Sequence, residues 1–177
     1  MHKLLKLKQS IDNDLVEINK IIDKTLSAEH PKLTEIYHFL KNEKGKQIRS
    51  SIIILIGNLT KNVKKIDLYN LAAGIELIHL ASLIHDDIID EADIRRNQET
   101  LYKKYGINNA IITGVHCYSL ALKRFSAIGN VTVISEVSDC VTKLCEGEFI
   151  QVNERHNYNL LEDEYWNIVR KKTSALF

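Results

Sequence analysis

Residues 67–90 read DLYNLAAGIELIHLASLIHDDIID, and this stretch decides the fold. Its apolar residues cover most of a helical circumference rather than one stripe, which predicts a central helix enclosed by others. Only its end is charged. There Asp86, Asp87 and Asp90 crowd the last turn, and at 100° per residue Asp86 and Asp90 lie about 40° apart on one face. Neighbouring carboxylates repel, and the negative end of the helix dipole makes them costlier still. A hard cation relieves this: Mg²⁺ takes one or two carboxylates, keeps several waters and completes its shell with phosphate oxygens.

Just beyond this end stand two adjacent arginines, Arg95 and Arg96, from a total of six. On an unbroken helix Arg95 would point about 180° away from Asp86, so the helix is expected to stop near Glu91 and fold back. Carboxylates for a metal beside a guanidinium pair for oxyanions form a diphosphate receptor. His79 lies two turns before Asp86 on the same face, with Ser82 between them, and can donate to a second phosphate. Lys46 and Arg49, three apart, share a face at the start of the next apolar segment, where unpaired N–H groups also favour an anion. Lys172 and Thr173 join a cation to a hydroxyl near the end of the chain. Taken singly, these features also fit a solvated acidic cap, an exposed doublet and a hydrogen-bonded core histidine.

Working outward, residues 7–26 carry Ile11, Leu15, Ile18 and Ile22 at helical spacing until Pro31 bars continuation. Further helices are expected at 33–40, 48–59, 108–128, 131–152 and from Leu161 onward, joined at 129–130 and 154–159. Seven glycines and one proline leave little turn chemistry for a β protein, so the fold class is all-α. The last helix, ending KKTSALF without a cap, reads as cut through. The 177 residues suit one domain or part of one, with a core-forming 45% hydrophobic content. A net charge of +1 gives no global basic field, and no nucleic-acid partner is expected. Three cysteines without a Cys-x-x-Cys pair suggest a reduced, cytoplasmic chain, and the apolar run from Ile52 to Ile56 is too short to span a membrane.

Together these residues resemble the trans-type isoprenyl diphosphate synthases, the polyprenyl synthetases that build quinone side chains, and most nearly an octaprenyl-diphosphate-synthase-like N-terminal half. GIELIHLASLIHDDIIDEADIRRNQET resembles the first aspartate-rich region, KGKQIRS the GGKRxRP motif, CEGEFIQ the GExxQ motif and RKKTSALF the KTA segment. The resemblance covers residues 10–177. It implies an isoprenoid-synthase helical bundle, present here as its N-terminal part, with residues 1–177 a single portion of the polyprenyl synthetase domain. It implies a transferase that joins isopentenyl diphosphate head to tail to an allylic diphosphate, as a homodimer or hetero-oligomer.

By position, Asp86 and Asp90 are then expected to hold Mg²⁺ with Asp87 in support, and Arg95, Lys172 and Thr173, with Gln151 beside them, to hold the allylic diphosphate. Lys46, Arg49, His79 and Arg96 are expected to hold isopentenyl diphosphate. Ala81 and Ser82 stand where relatives limit product length. Both are small, so a medium-to-long product of about eight isoprene units is expected, the helical spacing placing Ser82 nearer the site than Ala81.

Departures from the family pattern are Lys44, Gln47 and Ser50 in the GGKRxRP region and Val115 after Gly114, with no second aspartate-rich motif. They leave three readings: a prenyltransferase portion weak or inactive alone, a non-catalytic partner or degenerate subunit, and a di-iron bundle built on Glu35-x-x-His38 and Glu76-x-x-His79.

Overall fold

The computed structural model describes residues 10–41 and 45–177, in two compact units meeting in sequence at Gly129 and Asn130. The first carries helices α1 (Asp12–Thr25), α2 (Pro31–Lys41), α3 (Ile48–Leu59) and α4 (Lys65–Ile89). A two-stranded hairpin, β1 (Ile94–Arg95) and β2 (Gln98–Glu99), follows, then α5 (Leu101–Tyr105) and α6 (Ile107–Ser126). The second unit holds α7 (Val131–Asn153), α8 (Glu162–Lys172) and a final 3-10 turn, Ser174–Leu176.

Helix α4 is the axis of the first unit, packed by α1, α3 and above all α6. Ala72, Ala73, Leu77 and Ala81 are fully buried along it, as the all-round apolar pattern requires. By length and composition alone this helix could cross a membrane, which the short run in α3 could not. In the first unit its apolar residues pack against protein instead. At Gly74 a Cβ would meet the Phe125 ring at 2.3 Å, so only glycine lets α6 lie this close.

The seam foreseen in α1 is real: Ile11, Leu15 and Ile18 are buried against Ile54, Leu68 and Ala72. Helix α1 runs from Asp12; residues 7–9 of the expected stretch lie outside the described residues. Asp14, buried on α1, accepts from Lys65 Nζ at 2.7 Å and Tyr69 Oη at 2.6 Å, tying α1 to the start of α4. Burial by itself raises the Asp14 pKa, but these two donors outweigh it and hold the carboxyl below its ordinary value.

The hairpin and α5 were not foreseen, because strands of two residues carry no periodicity. Helix α4 ends in a paired backbone motif: Ala92 N–H donates to the Asp87 carbonyl at 2.9 Å and Glu91 N–H to that of Ile88 at 3.2 Å. Glu91, between them, sits at φ 51°, the left-handed position that ends many helices and is usually glycine. Arg96 and Asn97 follow at φ 49° and 65°. Positive φ at both central residues of a two-residue loop makes a type I′ turn, which matches the twist of paired strands. Two reversals within seven residues thus fold the chain back, as the position of Arg95 demanded.

Candidate functional site

The fold-back brings Arg95 onto Asp87, its Nε donating to Oδ1 at 2.6 Å. Asp87 is buried, one position round the helix from the Asp86 and Asp90 face. Burial raises its pKa, and Arg95 opposes that shift. Asp87 therefore anchors Arg95, while Asp86 is half-buried and Asp90, the residue capping α4, is exposed. Both of the latter stand at the mouth of the turn, one helical turn apart.

On the other flank of the hairpin, Lys46, Arg49, His79 and Arg96 line one cleft of about 460 Å³ together with Gly45, Gln47 and Glu76. All four residues expected to share an anion are thus brought together, from the start of α3, the middle of α4 and the type I′ turn. The His79 pKa is lowered to about 4, by burial first and then by the charges of Arg49, Arg96 and Arg95. The imidazole is therefore neutral at pH 7 and can donate one ring N–H without first binding a proton.

Three side chains here were missed or misassigned. Glu76 does not join a di-iron site. Its Oε1 accepts from Ser50 Oγ at 2.7 Å and from the Ser50 N–H at 3.3 Å, and its charge acts on Arg49. Glu35 instead pairs with Lys32 at 3.0 Å. Both glutamates of the di-iron reading are thus engaged elsewhere. Gln47, at φ 50°, exchanges two amide hydrogen bonds with Asn19, at 2.7 and 3.3 Å. Gln47 and Ser50, two of the departures noted above, therefore each lock the segment bearing Lys46 and Arg49. Lys44, a third, lies outside the described residues.

A smaller cavity of about 130 Å³ shares Glu76, His79 and Arg96 and adds the apolar Ile22, Leu26, Leu40, Leu80 and Leu83. Glu76, His79, Leu80 and Leu83 recur at i, i+3, i+4 and i+7, a stripe that could have been found from spacing. Ala81 is fully buried and Ser82 nearly so, its Oγ donating to the His79 carbonyl at 2.9 Å. Neither lines this cavity.

In the second unit, Lys172 Nζ pairs with Glu148 of the CEGEFIQ segment, and Lys171 with Glu146 at 2.5 Å. A Cβ at Gly147 would come within 2.5 Å of the Lys172 backbone nitrogen, so this glycine sets the close approach of α7 and α8. Gln151 is half-buried near the end of α7, and Thr173, exposed, caps α8.

The Polyprenyl synthetase profile matches residues 30–177. The chain belongs to the polyprenyl synthetase family. As a polyprenyl synthetase it is 27% identical over 175 residues to heptaprenyl diphosphate synthase component 2 of Geobacillus stearothermophilus, covering 98% of this chain and 54% of that one. It is 27% identical over 174 residues to the octaprenyl diphosphate synthase of Escherichia coli, with the same coverage. A decaprenyl diphosphate synthase from Rhodobacter capsulatus superposes with a TM-score of 0.91 at 28% identity, over 97% of this chain and 53% of that one. The fold is the all-α isoprenoid-synthase fold, and the chain spans about half the length of the relatives it matches.

Proposed function

We propose that this polyprenyl synthetase chain supplies the diphosphate-binding face of a prenyltransferase, which joins isopentenyl diphosphate head to tail to an allylic diphosphate. The convergence of Lys46, Arg49, His79 and Arg96 in one cleft carries the reading. Three guanidinium groups lie close enough to depress the His79 pKa, and in the same unit an acid pair stands on the end of α4.

The donor set suits Mg²⁺. Asp86 and Asp90 offer hard oxygens one helical turn apart, while Arg95 has taken Asp87 out of that set. The ion would add charge stabilisation at departing phosphate oxygens. Arg95, held rigid by Asp87, meets the allylic diphosphate with its remaining donors and stabilises charge that grows as the C–O bond breaks. Lys46, Arg49 and Arg96 hold isopentenyl diphosphate, and neutral His79 donates to it, so that its double bond stays within reach of the allylic carbon. Leu80, Leu83 and Ile22 keep water from the allylic carbocation left as the diphosphate departs, and the proton lost after the double bond adds passes to that diphosphate. In the second unit, Lys172, Thr173 and Gln151 are the candidates that the family pattern offers for an allylic diphosphate.

A medium-to-long product follows from the small Ala81 and Ser82 and fits a role in quinone side-chain synthesis. The three free cysteines support a reducing, cytoplasmic setting. The chain works as a dimer of like copies or with a partner subunit. The second reading is a non-catalytic partner subunit that binds diphosphates through the same cationic cleft.

Calorimetric titration of the chain with isopentenyl diphosphate, and with geranyl diphosphate with and without Mg²⁺, tests the site. Mg²⁺ should tighten geranyl diphosphate binding at least tenfold in the wild type and not in Asp86→Ala. Arg49→Ala should remove one isopentenyl diphosphate site and leave the Mg²⁺-dependent binding of geranyl diphosphate unaltered. Binding of both ligands unaltered by either substitution would refute the proposal.

A further inference from the structure

A second cationic cleft lies at the other end of the first unit, where α1 and α6 finish beside the start of α4. It encloses about 510 Å³ and is lined by Lys24, Lys123, Arg124, Asn70, Ile21 and Leu120, among others. Asn70 is 7% exposed, and among the described residues its amide has no hydrogen-bond partner. Arg124 Nε is buried without an acceptor. Among the described residues, Lys24 and Lys123 have no carboxylate partner either. A buried donor left unmatched is costly, and three like charges around one hollow repel.

Helix-end electrostatics account for part of this cluster only. Lys24 stands in the last turn of α1, and Lys123 and Arg124 in the last turn of α6, where cations offset the helix dipole. Each helix end carries about half a negative charge, and the start of α4 returns about half a positive one, so roughly two and a half positive charges remain unmatched. A single carboxylate does not balance that excess, whereas a diphosphate does. The volume suits a small molecule, and Ile21 and Leu120 offer apolar wall to one that carries a hydrocarbon. Asn70 precedes Asp86 by sixteen residues on one helix, a separation of about 24 Å, so this cleft is distinct from the candidate site.

We propose that this second cleft binds a small diphosphate, inorganic or esterified, as an effector site of the first unit. The test is calorimetry of the whole chain with inorganic pyrophosphate at 0.15 M salt, without Mg²⁺. An Arg49→Ala/Arg96→Ala double variant, lacking the first site, should still bind one pyrophosphate. Adding Lys24→Ala and Lys123→Ala, both on exposed side chains that leave the fold intact, should weaken that binding at least tenfold. Asn70→Ala should weaken it as well, with helicity by circular dichroism confirming that the variant is folded. Geranyl diphosphate binding at least tenfold tighter than pyrophosphate would identify the ester as occupant, and equal binding the free anion; either supports the site. Loss of all pyrophosphate binding in Arg49→Ala/Arg96→Ala, indifference to the lysine substitutions, or equal competition by sulfate would overturn it.

Discussion

Replacing Ser50 with alanine removes the stronger of two hydrogen bonds that hold Glu76, at 2.7 Å from a fully buried hydroxyl. A hydrogen bond to a charged group contributes about 1.5–3 kcal/mol. Because the Ser50 N–H still reaches Glu76 at 3.3 Å, the loss is expected near the lower end, about 1.5 kcal/mol. The lost oxygen leaves a void smaller than a methyl group, so the cavity contribution is small. Hydrogen exchange monitored by mass spectrometry should therefore show the α3 amides about tenfold less protected, since 1.4 kcal/mol is a factor of ten. Glu76→Gln keeps an oxygen acceptor but loses the charge, and should produce a similar loss alone. The two changes act on one contact, so the double variant should be less destabilised than the sum by about 1 kcal/mol. In a Lys24→Ala/Lys123→Ala background, Ser50→Ala should lower the pyrophosphate affinity of the Lys46–Arg49 cleft, because Arg49 lies one residue before Ser50. Additive effects within 0.3 kcal/mol, or unchanged pyrophosphate binding, would refute the proposed lock.

Other perturbations give separate checks. His79 has its folded pKa lowered to about 4, so the unfolded chain binds the extra proton between about pH 4 and 6.5. The stability gained by keeping His79 neutral is complete above about pH 6.5 and lost as pH falls toward 4. This is about 1.5 kcal/mol after allowing for solvent at the partly open ring, and urea unfolding of wild type against His79→Gln should reveal it as a pH-dependent difference. Glu91→Gly, at φ 51°, should stabilise the end of α4 by about 0.5–1 kcal/mol, seen as a raised melting temperature. Gly74→Ala should destabilise by about 1–3 kcal/mol, because Phe125 has no room to yield; an unchanged melting temperature would contradict the packing of α4 on α6. Asp87→Ala should release Arg95 and weaken Mg²⁺-dependent geranyl diphosphate binding, whereas Asp86→Ala should weaken it with no loss of stability.

Helix positions were legible because an apolar repeat needs only local spacing, and α3 runs from Ile48 to Leu59 as that spacing indicated. Lys46, Arg49, His79 and Arg96 were legible as phosphate-binding residue types because each offers donors that suit an oxyanion. The division of labour within the aspartates was not. Asp87 and Asp86 look alike in sequence, and only the fold-back of the hairpin selects Asp87 as the partner of Arg95. Glu76 and Ser50 are 26 residues apart, and Asn19 and Gln47 28 apart, so no local pattern joins them.

The sequence by itself therefore determined an all-α chain whose longest helix is buried and ends in acids, because side-chain polarity and the 3.6-residue repeat are properties of neighbouring residues. Tertiary structure alone decided which carboxylate faces outward, which holds an arginine, and which serine steadies the cationic cleft. Those pairings depend on two backbone reversals at residues 91–97 and on the approach of α3 to α4, distances that exist only once the chain has folded.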